Sequence, residues 1–294
     1  MVDLDTLRLF LAAADEKNIA RAAEREHIAA SAVSKRISDL EAELDTPLFR
    51  RTGRGVELTA AGETLVHHAR SVFAILDRLC GEISEHAKGT QGHVRIAANM
   101  SAIVEFLADE LPAFLTANPG IHVDLQQQPS LAVVRAVRDG VVDLGIFPST
   151  VAAAGLEVLP YRTDRLVVVA PASHPLAKLS RVAFEQTLAF DHVGVQKDCS
   201  LDALLSAAAH RTGKRMNCRV RVTSFDVLRR LVQAGLGVTI LPEACVKPYE
   251  AMMGLRRVPL TDAWAIRDFG VGVRAGGNLP AAVQVFVKYL ARSR

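Results

Sequence analysis

Residues 18–44 read NIARAAEREHIAASAVSKRISDLEAEL, and this stretch decides the fold of the N-terminal region. Asn18 offers a side-chain oxygen to the first turn of a short helix. The small residues Ala20, Ala22 and Ala23 of that helix let a neighbour approach closely. After His27-Ile28, the apolar residues Val33, Ile37, Leu40 and Leu44 recur at steps of three and four, the period of a helix packed on a core. Ser31, Ser34, Lys35 and Ser38 lie largely off that face. Two short helices around a tight turn, the second with small polar and basic residues outward, suit insertion into a DNA major groove. A three-helix core with a solvated polar face would show the same periodicity.

The flanking segments narrow the choice. Upstream, Leu4, Leu7, Phe10, Leu11 and Ala14 give another helical period, with Asp3 and Asp5 at its positive end. Downstream, Pro47-Leu48-Phe49 and Val56-Glu57-Leu58 read as two extended runs around a Gly-x-Gly turn that carries Arg50, Arg51 and Arg54. Guanidinium groups at the tip of such a wing suit phosphate or a narrow minor groove, the alternative being a solvated basic loop. Thr59 then opens a long helix ending near Gly89. Along it Leu65, Ala69, Val72, Leu76, Leu79 and Ile83 form a seam of alternating four- and three-residue steps. A seam outside a compact domain needs a partner helix, and a second copy is the simplest, with packing into the chain's own core as the alternative. Gly89-Thr90-Gln91-Gly92 reads as a hinge.

These residues resemble the LysR-type transcriptional regulators. The match runs from Leu4 to about Ala69 through Arg21-Ala22-Ala23-Glu24, Ser34-Lys35-Arg36-Ile37, Leu40-Glu41, Leu48-Phe49-x-Arg51, Gly53-Arg54 and Leu58-Thr59-x-Ala61-Gly62. It continues in Val142-Asp143-Leu144-Gly145-Ile146, His174-Pro175-Leu176, Ala234-Gly235-Leu236-Gly237-Val238 and Leu241-Pro242, so that it spans nearly the whole chain. The resemblance implies an α/β protein: a winged helix-turn-helix (1–58), a linker dimerisation helix (59–88), a hinge (89–92) and a two-lobed, periplasmic-binding-protein-like effector domain (93–294). Its lobes would comprise 93–161 with 268–294, and 162–267. Ala29-Ala30-Ser31 departs from the Ser-Gln-Pro or Ser-Gln-Ser of many members, and Ala30 has no hydrogen-bonding group where the family's Gln contacts bases. Base reading then falls to Ser31, Ser34 and Lys35, with Arg36, Arg51 and Arg54 positioning the backbone.

Composition is compatible with this reading without proving it. The 294 residues are 50% hydrophobic and 23% charged, a globular balance. Residues 1–88 carry 12 Lys and Arg against 15 Asp and Glu, so bulk charge points away from the DNA module. Placement matters more, because only charges facing phosphates release counterions. No export signal or long apolar span is evident, so a cytoplasmic protein is expected.

From His93 onward strands alternate with helices: strands at 93–98, 121–125, 142–146, 166–170, 191–195, 220–223 and 238–241, and helices at about 101–117, 130–139, 200–213, 224–234 and 280–293. This implies parallel sheets covered on both faces, with ligands at the carboxyl ends of the strands. Helices beginning at Ser101, Ser130, Ser200 and Ser224 offer hydroxyls and unpaired N–H groups to an anion, although serine is a common cap in any protein. The resemblance implies a ligand-contacting hydroxyl at Ser101, and cleft-lining positions at Ser130, Phe147, Ser200 and Phe225. A small organic anion is the expected effector. No cofactor is expected.

Partners implied are an imperfectly palindromic promoter site, the effector, a second copy through the linker helix (a dimer of dimers in the family) and RNA polymerase. Membranes are not among them. Two other readings compete. A thiol sensor of the same architecture would use Cys199, with Lys197 lowering its pKa, Asp198 opposing it and Cys218 the nearest candidate to resolve it. A solute-binding transport protein shares the two-lobed fold. An enzyme is disfavoured: no P-loop, G-x-S-x-G or H-E-x-x-H motif is present, and no metal-ligand spacing joins Cys80, Cys199, Cys218 and Cys245 to the histidines.

Overall fold

The computed structural model describes residues 2–53, 55–88, 92–197 and 199–292, with backbone alone at 77, 78 and 80–88. The chain divides into two compact units, residues 1–84 and, apart from 139–141, residues 85–294.

In the first unit α1 (Leu4–Glu16), α2 (Ile19–Arg25) and α3 (Ala30–Glu43) pack on one another and are followed by the hairpin β1 (Phe49–Thr52) and β2 (Gly55–Leu58). Asp3 caps α1 by accepting the Thr6 N–H at 2.8 Å, and Asn18 caps α2 through Ala20 at 2.9 Å. Ala22 and Ala23 are buried and bring α2 against Val33 and Ile37 of α3. Phe10, Leu40 and Leu48 form the second part of this core, with the Phe49 ring 5.1 Å from Phe10. The wing is tied back by backbone: Val56 N–H reaches the Lys17 carbonyl at 3.0 Å. A side chain at Gly55, whose φ is +144°, would meet that oxygen at 2.2 Å. Glu41 accepts the N–H groups of Leu48 and Phe49 at 2.7 and 3.0 Å, so the half-buried entry into β1 keeps these donors paired. Thr59 caps α4 (Ala60–Lys88) through Gly62 N–H at 3.1 Å.

The second unit has two lobes sharing two long strands. Lobe I orders β4 (Ile121–Gln127), β3 (Gly92–Ala98), β5 (Leu144–Pro148), β11 (Ile266–Arg274) and the first part of β6 (Leu156–Pro171). It is covered by α6 (Ala108–Ala117), α7 (Ser130–Arg138) and α12 (Ala281–Arg292), with Ile96, Phe114, Leu144 and Phe286 in its core. The short α5 (Met100–Ala102) precedes α6. In lobe II the second part of β6 lies between β9 (Thr239–Pro242) and β10 (Leu255–Pro259). The parallel pair β7 (His192–Val195) and β8 (Cys218–Val222) joins them, with α8 (Phe184–Thr187), α9 (Ser200–Arg211), α10 (Phe225–Gln233) and α11 (Glu250–Met253) packed around.

The expectation of parallel sheets is corrected. Among the described strands β3 runs parallel to β4 and β5, and β7 to β8, whereas β6 and β11 pair antiparallel with their neighbours. Strands 156–165, β10 and β11 were not anticipated. Charged residues interrupt the apolar signal in the first part of β6, and glycines interrupt it in β11. Those glycines are packing requirements: a side chain at Gly270 would meet Val158 at 2.4 Å, and one at Gly272 would meet the Phe147 ring at 2.7 Å. Pairing of β6 passes from β11 to β9 between Arg165 and Leu166, which is where the lobes part. Of the expected hinge at 89–92, residues 89–91 lie outside the described residues, as does the side chain of Ile83, and Gly92 opens β3. Among the described residues, no helix is long and apolar enough to cross a membrane.

Candidate DNA-facing helix and ligand cleft

Val33, Ile37 and Leu40 face the core, so Ser31, Lys35 and Ser38 are exposed on the opposite side of α3, with Ser34 half-buried beside them. Ala29 and Ala30 are exposed too, and Ala29 provides no side-chain cap. The first N–H groups of α3 therefore have no side-chain acceptor there, and the positive end of the helix dipole is open. Arg36 leans off this face toward α1, its guanidinium 3.9 Å from Asp3. Hydrogen bonds from Thr6 hold the Asp3 carboxyl below its usual pKa. On the wing Arg50 pairs with Glu57 at 3.2 Å, while Arg51 is exposed; Arg54 lies outside the described residues. Exposed pairs of this kind contribute little stability, so both arginines can exchange partners cheaply.

In the second unit a cleft of about 520 Å³, its solvent-open mouth included, lies between the lobes. It is lined by Asn99, Met100 and Ser101, by Gln127–Ser130, by Val195 and Gln196, by Cys199–Leu201, and by Thr223 and Phe225. Strand ends deliver these residues: β3 leads into Asn99, β4 into Gln128, β7 into Gln196 and β8 into Thr223. Ser101, Ser130, Ser200 and Phe225 are thus brought together. Phe147 is not among the lining residues; it is fully buried, with its ring over Gly272.

The capping pattern also differs from expectation. Asn99, rather than Ser101, caps α5 by accepting the Ala102 N–H at 2.9 Å, and Cys199 Sγ accepts the Asp202 N–H at 3.4 Å at the start of α9. Capping by these neighbours leaves the hydroxyls of Ser101 and Ser200 to face the cleft. Asn99 also donates to Ser130 Oγ at 3.1 Å, and the Ser130 hydroxyl donates to Ser200 at 3.0 Å, a chain that links lobe I to lobe II. Asn99 was missed in the sequence, although an Asn directly after a strand and three residues before a helical N–H is a capping signal.

Among the described residues, none that lines the cleft carries a formal charge. The charges immediately behind the wall are matched: Arg221 is ion-paired with Asp202 and also donates to the Val195 carbonyl at 3.0 Å. What this lining offers a ligand is hydroxyl, amide and backbone groups, with no side-chain cation among the described residues. Burial pushes the thiols of Cys199 and Cys218 above their usual pKa, which disfavours the thiolate a redox sensor needs. Among the described residues no group of three or more potential ligands is placed to hold a metal ion.

Family models of known proteins match the chain in two parts. Residues 4–63 match the bacterial regulatory helix-turn-helix protein of the lysR family, and residues 87–294 match the LysR substrate binding domain. A probable RuBisCO transcriptional regulator of Synechocystis sp. is 26% identical over 292 residues, covering 97% of this chain and 84% of that protein. Full-length CbnR complexed with its target DNA superposes with a TM-score of 0.68 at 21% identity, with 100% of both chains covered. The regulatory domain of Synechocystis PCC6803 CcmR, in complex with 2-PG, gives 0.64 at 23% identity over 69% of this chain and 97% of that one. With a helix-turn-helix profile at one end and a ligand-domain profile over most of the remainder, this chain belongs to the LysR family of transcriptional regulators.

Proposed function

We propose that the protein binds a promoter site of imperfect two-fold symmetry through α3 and the wing, and that a small, weakly charged organic anion in the lobe cleft controls it. The carrying observation is the cleft at the strand ends, uncharged among its described residues, where Ser101, Ser130 and Ser200 meet three helix starts. In this reading Ser31, Ser34 and Lys35 read bases, whereas Arg36, Arg51 and Arg54 hold the backbone. Val72, Ile75 and Leu79 are 36%, 59% and 53% exposed on α4, an apolar strip that supports pairing with a second copy. A dimer of such dimers, contact with RNA polymerase and a cytoplasmic location complete the proposal.

Gel-shift titration on the fragment upstream of its own coding sequence tests the DNA half. Affinity is expected to fall steeply with salt, and a flat salt response would reject phosphate-led binding. A panel of small mono- and dicarboxylates, scored by thermal shift of the full chain, tests the ligand half. The proposal expects monocarboxylates to stabilise the chain and Ser101→Ala to abolish that shift.

A further inference from the structure

Glu105 lies on the same helical segment as Ser101 yet is not among the residues lining the cleft. It occupies a single π-helical turn, Ile103–Leu107, between α5 and α6. Such turns interrupt the regular hydrogen-bond ladder and are frequent at functional positions. Phe106 and Leu107 anchor the turn in the lobe I core. The Glu105 side chain instead reaches into lobe II, where Oε1 accepts the backbone N–H of Ala244 at 2.8 Å. The next residue, Cys245, is fully buried in the lobe II core. The contact therefore joins two separately packed cores.

It does so where the shared strands pass between lobes. Asp164 of β6 and Arg267 of β11 form a buried two-pronged ion pair there, and Glu243 N–H reaches the Arg165 carbonyl at 2.9 Å. The charged and titratable groups around Glu105 are Asp164 and Arg165 on β6, Arg267 on β11, and Glu243, Cys245 and Lys247 after β9. Arg267 is already matched by Asp164, and Glu243 reaches Arg257 at 3.3 Å.

We propose that Glu105 is a positioning residue for the ligand cleft, holding the lobes together through Ala244 and releasing them as its carboxyl ionises. Burial raises the carboxyl from 4.5 to about 7, outweighing the Ala244 and Cys245 N–H groups that favour the anion, while the paired charges of Asp164 and Arg267 act in opposite directions. An opened hinge that rehydrates Glu105 returns it toward its ordinary value. Between these limits the closed form keeps a proton that the open form has lost. Closure is thus favoured by acid, and opening by rising pH, at up to about tenfold per pH unit. The dependence ends once both forms are ionised. Ser101 sits on the same segment, so ligand affinity follows the same curve.

The test compares the full-length wild type with Glu105→Gln and Glu105→Ala. Hydrogen exchange in the 243–247 peptide is followed between about pH 5.5 and 7.5 and corrected for intrinsic exchange. Wild type is expected to lose protection with rising pH by up to about tenfold per unit. The Gln variant keeps the acceptor oxygen without the titration, so its protection stays flat and exceeds wild type at the alkaline end. The Ala variant loses the Ala244 share of that protection at every pH, while the amides bonded to Arg165, Pro242 and Glu243 keep theirs. Parallel wild-type and Gln curves would overturn the proposal, as would an Ala variant as protected as Gln. If the Ala variant does not fold, the first comparison decides alone.

Discussion

The outer face of α3 and the cleft of the effector domain both rely on short polar side chains, but they hold them in opposite ways. On α3, Ser31, Lys35 and Ser38 are exposed, and Arg36 makes a long contact with Asp3. In the cleft, Asn99, Ser101 and Ser130 are buried, and Asn99, Ser130 and Ser200 form a hydrogen-bonded chain. A phosphate surface is met by charges that give up only water and counterions, so pre-positioning adds little. A small ligand must displace ordered partners, and each buried group left unpaired then costs about 1–3 kcal/mol. The two surfaces therefore differ in how far their polar groups are held in place before anything binds.

That contrast can be broken by experiment. The largest effect is expected from Gly55→Ala, which combines a positive φ with a 2.2 Å approach to the Lys17 carbonyl. It should destabilise the first unit by about 3 kcal/mol or more and abolish DNA binding, while the melting transition of the effector half is unchanged. A shared loss in both transitions would erase the distinction. Lys35→Ala is expected to weaken operator binding by roughly 1–3 kcal/mol at fixed salt, with ligand-induced thermal shifts retained. Unchanged affinity would remove Lys35 from the interface.

Ser130→Ala should strand the Asn99 amide and destabilise the effector domain by about 1–2 kcal/mol, read by denaturant titration, with operator affinity intact in the absence of ligand. A smaller effect follows from His192, whose Nε2–H faces the Thr187 carbonyl at 3.0 Å and whose pKa burial lowers from 6.5. The unfolded chain takes up a proton below pH 6.5 that the folded chain refuses, so stability is present above that pH and declines as pH falls. Replacing His192 by Gln should flatten this acid limb of the melting curve, and an unchanged slope would reject the assignment. The smallest effect belongs to Cys199→Ser: with its thiol held protonated, peroxide-dependent changes in operator binding should be absent in both wild type and variant. A peroxide response lost on substitution would restore the redox reading.

Much of the N-terminal half was legible because its signals are local. Asn18 caps α2, and Val33, Ile37 and Leu40 face inward as a three-four period requires. Glu41 was visible only as a motif letter; its bonds to Leu48 and Phe49 depend on a turn that returns to α3. In the effector half, α7 and α9 began at the expected Ser130 and Ser200, whereas β11 was invisible because Gly270 and Gly272 erase the hydrophobic alternation. Phe147 was misplaced for the same reason, since the space its ring fills is made by a glycine on another strand.

The sequence alone determined the helix-turn-helix, the wing, the long α4 and the serines at helix starts, because caps, turns and amphipathic periods act over a few residues. Only the tertiary structure decided that the cleft joins both lobes through Ser130 and Ser200, that its described wall is uncharged, and that Glu105 crosses between lobes to Ala244. These depend on contacts between residues up to 139 positions apart, and a one-dimensional period carries no information about which strands are brought side by side.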